Sequence, residues 1–96
     1  MKTLEEIIKI LLEHEKKLRK KYKIRSIKIF GSYVEKKQKK TSDIDLIIDF
    51  EETPTFVELI RIEESLEKIL GIKVDLLTEE SISPFIKPYI KEIVVI

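Results

Sequence analysis

The chain has 96 residues, 43% hydrophobic and 39% charged, with 19 basic and 18 acidic side chains and a net charge of +1. That length predicts one domain over residues 1–96 with a small core, and the near-neutral charge excludes a strongly basic nucleic-acid binder. The absence of cysteine and the single histidine, His14, exclude disulfides, thiolate or histidine-rich metal sites and thiol catalysis.

Glu5, Glu6 and Lys9 interrupt the first apolar stretch, and no run reaches the ~20 apolar residues that span a bilayer. The expectation is a cytoplasmic chain with no leader and no membrane contact. Lys, Glu and Ile are abundant, Asn is absent and Gln38 is the only glutamine, a bias that points to a thermophilic source.

Thr3-Leu4-Glu5-Glu6 reads as a capping box, and Leu4, Ile7, Ile8, Leu11, Leu12 and Leu18 then share one helical face. A first helix is predicted over residues 4–21, with Glu13, Lys16, Lys17 and Lys20 on its polar side and His14 at the surface. Residues 24–30 predict a strand, since Ile27 and Ile29 alternate with Ser26 and Lys28. Gly31-Ser32 ends it. A short helix over 33–38 and a polar loop over 39–42 follow. Tyr33 is placed to pack, or to stack on a base. Lys36, Lys37, Lys39 and Lys40 form a basic run, read either as a solvated loop or as a patch attracting an NTP or an RNA-bearing partner.

Residues 44–50 predict a second strand, with Asp43, Asp45, Ile47 and Asp49 on one side and Ile44, Leu46 and Ile48 on the other. A turn over 51–54 leads to a second capping box, Thr55-Phe56-Val57-Glu58. Phe56, Leu59, Ile60, Glu63, Leu66, Ile69 and Leu70 continue at helical spacing, and Gly71 is the expected stop. A third strand over 72–77 turns Lys73, Asp75 and Leu77 one way and Ile72, Val74 and Leu76 the other. Pro84 and Pro88 break the next segment, with a short helix expected near Pro88 and a last short strand over 94–96. Phe56, Phe85 and Tyr89 read as core or interface residues.

The aspartates carry the chemistry. Residues two apart on a strand point the same way with Cα atoms roughly 6.5–7 Å apart, so Asp43 and Asp45 can converge on one cation. If the third strand lies beside the second, Asp75 joins them. Three such carboxylates repel one another unless a hard divalent cation bridges them, and an all-oxygen set suits Mg²⁺, with Mn²⁺ as the alternative. A pair of such ions stabilises both the attacking and the leaving oxygen in a displacement at phosphorus. Gly31 lets a phosphate approach the backbone, and the Ser32 hydroxyl adds a donor. Asp49 lies about 13 Å from Asp45 along the strand, too far to share a metal. Taken singly, Gly-Ser is a turn, Asp-x-Asp a solvated strand edge and Asp75 a surface charge. It is their order and spacing, with ten residues between Ser32 and Asp43, that point to a site.

These residues carry a resemblance. Gly31-Ser32 followed by Asp43-x-Asp45 resembles the signature of the DNA polymerase β-like nucleotidyltransferases. The stretches Thr41 to Phe50, Pro54-Thr55-Phe56 and Leu70 to Thr78 are similar to the minimal nucleotidyltransferases, the MntA-type antitoxins. The resemblance spans nearly the whole chain. It implies an α+β fold, a mixed sheet of three or four strands with helices on one face. It also implies Asp43 and Asp45 as metal ligands, Asp75 as the third carboxylate orienting or deprotonating an acceptor hydroxyl, and Gly31 and Ser32 as phosphate contacts. The implied reaction moves AMP from ATP, or another NMP from its NTP, to a tyrosine of a HEPN-domain toxin, making the chain the antitoxin of a pair. Family members commonly carry an Arg after the Gly-Ser and a Gly a few residues on, where this chain has Tyr33-Val34-Glu35-Lys36. The rival readings are a binding module that silences its partner by occlusion, and a small-molecule transferase, for which an acceptor-holding domain is missing. An exposed edge of so small a sheet allows a homodimer or a docked partner.

Overall fold

Both predicted capping boxes form, and they set where the two long helices begin. In the computed structural model, which describes residues 2–39 and 42–96, helix α1 spans Leu4–Tyr22. The Thr3 hydroxyl accepts the Glu6 N–H at 3.2 Å while the Glu6 carboxylate accepts the Thr3 N–H. The pair satisfies two amides that the first turn leaves unbonded. Lys23, in the left-handed region at φ 54°, ends the helix by donating its N–H to the Arg19 carbonyl. Helix α2, Phe56–Leu70, repeats the scheme, with Thr55 and Glu58 at its start and Gly71 at φ 71° closing it.

Strands β1 (Ile24–Phe30), β2 (Ile44–Phe50), β3 (Val74–Thr78) and β4 (Val94–Val95) form one mixed sheet in the order β3-β2-β1-β4. β1 runs antiparallel to β2 and β4, whereas β2 and β3 are parallel. Parallel neighbours need a crossover, and α2 supplies it. One face of the sheet packs on the helices. Ile27, Ile29, Ile44, Leu46, Ile48, Phe50 and Val74 meet Ile7, Leu11 and Leu18 of α1 and Ile62, Leu66 and Leu70 of α2 in a single core. Each fully buried Leu or Ile contributes roughly 1.5–3 kcal/mol relative to an exposed one. The architecture is the α+β arrangement expected, with helices on one side only.

The other face of the sheet carries Asp75 and Leu77 on β3, Asp45, Ile47 and Asp49 on β2, and Lys28 and Phe30 on β1, as their register partners require. Ile47 is 2% exposed although it lies outside the main core. Its cross-strand neighbours are Lys28 and Leu77, and the Lys28 ammonium reaches Glu79 beyond β3 at 3.4 Å, so the lysine stem roofs Ile47.

Several local expectations are corrected. No short helix forms over residues 33–38: residues 32–36 make consecutive turns, in which Val34 and Glu35 both donate to the Gly31 carbonyl and Lys36 enters the left-handed region at φ 59°. β3 begins at Val74 rather than residue 72, although the Lys73 carbonyl already accepts the Ile44 N–H at 2.9 Å. Leu12 is 54% exposed, because it lies one residue round the helix from Leu11, which fills the core. Phe56, Phe85 and Tyr89 are exposed rather than core. Near Pro88 the chain makes a single 3₁₀ turn, Lys87–Tyr89, and another over Glu79–Ser81. Lys40 of the basic run and Thr41 lie outside the described residues.

Candidate active site

The end of β1 and the beginnings of β2 and β3 meet at one end of the sheet. Phe30, the last residue of β1, is the register partner of Asp45, and Asp45 is the parallel register partner of Asp75. Register partners project to the same face, so the two carboxyls lie side by side within hydrogen-bonding reach. Asp43, exposed one residue before β2, adds its charge to the same region. β3 does lie beside β2, and the pairing brings Asp45 and Asp75 to one face.

Gly31 follows at the turn and adopts φ 81°, a conformation open to glycine and strained for other residues. It also makes room for the acid. A Cβ at position 31 would overlap Asp45 Oδ2 and lie 2.9 Å from Asp45 Cγ. The Ser32 amide approaches the same carboxylate. The glycine, the serine and the aspartate therefore form one packed unit, while Tyr33, at 2% exposure, turns into the core and is not available to stack on a base.

Electrostatics follow from the crowding. Asp45 is pushed up to about 6, first by burial and then by the charge and hydrogen bond of Asp75 and the charge of Asp43. The Ser32 amide opposes this only in part. Among the described residues no three acidic or imidazole side chains close into a ready coordination shell. Asp43 and Asp75 are exposed. The donor set is all oxygen, and after burial the charges of Asp75 and Asp43 add to the upward shift of Asp45. Both properties fit a hard divalent cation such as Mg²⁺.

The fold adds two acids that periodicity alone did not reveal. Glu67 of α2 accepts the Val74 N–H at 3.0 Å, and Glu63, one turn earlier, faces the Leu76 amide. Burial and the charges of Glu67, Asp75 and Asp43 raise Glu63. Glu63 sits among Leu59, Ile62 and Leu66, and an acid at so apolar a helix face was the available signal. Asp49 stands apart, paired loosely with Arg25 at 3.9 Å. His14 is half-buried and its Nδ1 lies 2.9 Å from the Ile10 carbonyl, a local helix contact away from the site.

A cleft of about 500 Å³ lined by Lys21, Lys23, Glu52, Pro54, Glu58 and Arg61 lies at the opposite end of the sheet, where Ile24 pairs with Phe50. Its two acids already have partners: Glu52 pairs with Lys23, and Glu58 caps α2. The acidic group is instead on an open face, with Asp43 and Asp75 exposed. No helix among the described residues is long and apolar enough to cross a membrane.

Comparison with known proteins bears on this arrangement directly. The nucleotidyltransferase domain family matches residues 11–96. A candidate protein adenylyltransferase of Methanocaldococcus jannaschii is 53% identical over 93 residues, covering 96% of this chain and 95% of its own length. The protein adenylyltransferase MntA of Thermococcus cleftensis is 45% identical over 95 residues, covering 98% of this chain and 96% of its own. A solved complex of an MNT antitoxin with the tri-AMPylated HEPN toxin of Shewanella oneidensis aligns at a TM-score of 0.55 with 27% identity over 77% of this chain. The present chain spans 59% of that longer one. A Gly-Ser turn packed on paired strand aspartates and a family match over nearly the whole chain lead to one conclusion: this protein belongs to the nucleotidyltransferase domain family, among its minimal nucleotidyltransferases of the MntA type.

Proposed function

We propose that residues 1–96 act as one catalytic domain that transfers AMP from ATP to a tyrosine hydroxyl of a HEPN-type toxin, as the antitoxin of a cytoplasmic toxin–antitoxin pair. The observation that carries this reading is the parallel pairing of Asp45 with Asp75, beside Asp43 and against the Gly31-Ser32 turn. The relatives named protein adenylyltransferases and the AMPylated toxin in the solved complex support the choice of AMP and of a protein acceptor. The open face around the carboxylates supports a macromolecular acceptor over a small molecule.

In this reading the acceptor oxygen attacks the α-phosphorus of ATP. A new P–O bond forms, the bond to the bridging oxygen breaks, and pyrophosphate leaves with that electron pair. Asp75, exposed at the sheet edge, orients the hydroxyl and receives its proton. The Gly31 and Ser32 backbone and the Ser32 hydroxyl hold phosphate oxygens. Asp43, Asp45 and Asp75 would hold Mg²⁺, or Mn²⁺ in its place, which when bound neutralises the triphosphate and the developing charge. Asp45 must be ionised for this; without metal it is raised to about 6, and a bound cation would favour its ionised form.

The test is incubation of the chain with Mg²⁺, ATP and a purified HEPN-type toxin, followed by mass spectrometry. The expected product carries adenylyl groups on tyrosine and has lost its toxicity. Silencing by Asp43→Asn with no modification would replace this reading with occlusion.

A further inference from the structure

Strand β3 lies at the edge of the sheet, and its hydrogen bonding alternates. The Lys73 carbonyl accepts the Ile44 N–H, so residues 73, 75 and 77 turn their backbone groups toward β2. Residues 74 and 76 turn theirs outward, where an edge strand has no neighbour. Both outward amides are met by α2: Val74 donates to Glu67 Oε2 at 3.0 Å, and the Leu76 amide faces Glu63. The two glutamates are four residues apart on a helix, a rise of about 6 Å. The two amides are two residues apart on a strand, about 6.6 Å. The helix thus offers two acceptors at the spacing of two edge donors, and Asp75 is the residue between them.

We infer that Glu67, assisted by Glu63, is a positioning residue that fixes the register of Asp75 against Asp45; the inference rests on the transfer reaction proposed above. An edge strand held on one side only slides and frays, and Asp75 would then lose its place beside Asp45. Two like charges four apart on a helix repel, and Glu63 also feels the charge of Asp75.

The experiment compares Glu67→Ala and Glu67→Gln in the full chain, with transfer measured under Mg²⁺ and ATP to a purified HEPN-type toxin. Glu67→Ala is expected to lower kcat about tenfold, since misplacement of a positioned group is felt in the chemical step, with KM for ATP held within about twofold. Glu67→Gln keeps an oxygen that accepts the Val74 N–H and is expected to keep kcat within about twofold of wild type. A folded Glu67→Ala with wild-type kcat overturns the inference, as does a rise in KM at unchanged kcat, or a Glu67→Gln as slow as the alanine variant. Should Glu67→Ala not fold, the glutamine variant carries the test, and a tenfold loss in it overturns the inference. Should the wild type transfer no AMP, the proposed function fails, and the positioning role is decided by NMR. Glu67→Ala is then expected to speed amide exchange at Val74 and Leu76 about tenfold or more and to move the Asp75 carboxyl resonance. Unchanged exchange and shift would overturn it.

Discussion

Gly31 and Asp45 occupy one space: the carboxylate of the aspartate lies where the glycine has no Cβ. A methyl group at position 31 must displace Asp45 and must also adopt φ 81°. Gly31→Ala is expected to cost about 1–2 kcal/mol in backbone strain alone. Because the displaced group is the central acid of the site, AMP transfer should fall by about 100-fold, more than the stability loss explains. Urea titration and a transfer assay on the same preparation check both values. Wild-type transfer in a stably folded variant would show that the close approach is incidental.

The crowded acids make the metal-free protein sensitive to pH. Asp45 is raised from 3.8 to about 6, so between these values the folded state binds a proton that the unfolded state has released. The sign follows: this group's contribution is favourable at low pH and is lost as pH rises through about 6. The carboxyl is partly exposed and screened by solvent, so the contribution is about 1 kcal/mol. Asp45→Asn should therefore stabilise the metal-free protein at pH 7.5 by about that amount and have little effect at pH 4. Thermal melts in chelator at the two pH values test this. Destabilisation by the asparagine at pH 7.5 would contradict it.

Lys36 holds φ 59°, a left-handed conformation that glycine adopts without strain and a lysine does not. Lys36→Gly is expected to raise stability by about 0.5–1 kcal/mol, the conformational penalty removed. Chemical denaturation measures it, and a loss of stability would mean that the lysine side chain makes a compensating contact.

Composition sets a further expectation. The Lys, Glu and Ile bias and the scarcity of amides predict a thermal midpoint above about 70 °C, beyond the ~45–65 °C at which mesophile domains cluster. Calorimetry decides it, and a midpoint near 50 °C would leave the composition without this explanation.

Much of this was legible in the chain. Thr3 with Glu6 and Thr55 with Glu58 announce both helix starts, because capping is decided within four residues. The alternation in residues 44–50 announces which side Asp45 takes, because a strand has a strict period of two. What was not legible depends on partners distant in sequence. Glu63 and Glu67 read as helix acids until β3 places its outward amides beside them. Ile47 shares the acidic side of β2, and its burial depends on its cross-strand neighbours Lys28 and Leu77, which lie far from it in sequence. Residues 33–38 are of helix-forming types, yet the chain turns over 32–36 and Lys36 leaves the helical region. The pairing of Asp45 with Asp75 required knowing that β2 and β3 are neighbours, which the α2 crossover permits but no local motif states.

The most direct measurement is the initial rate of AMP transfer from labelled ATP by Asp75→Asn, beside Asp45→Asn and the wild type, at saturating Mg²⁺ and ATP. An amide at either position cannot supply the charge that the site is built to present, so each variant is expected to lose at least about 100-fold in rate while remaining folded. Wild-type rates in the Asp75 variant would contradict the account, because the two strands would then meet for structural reasons alone.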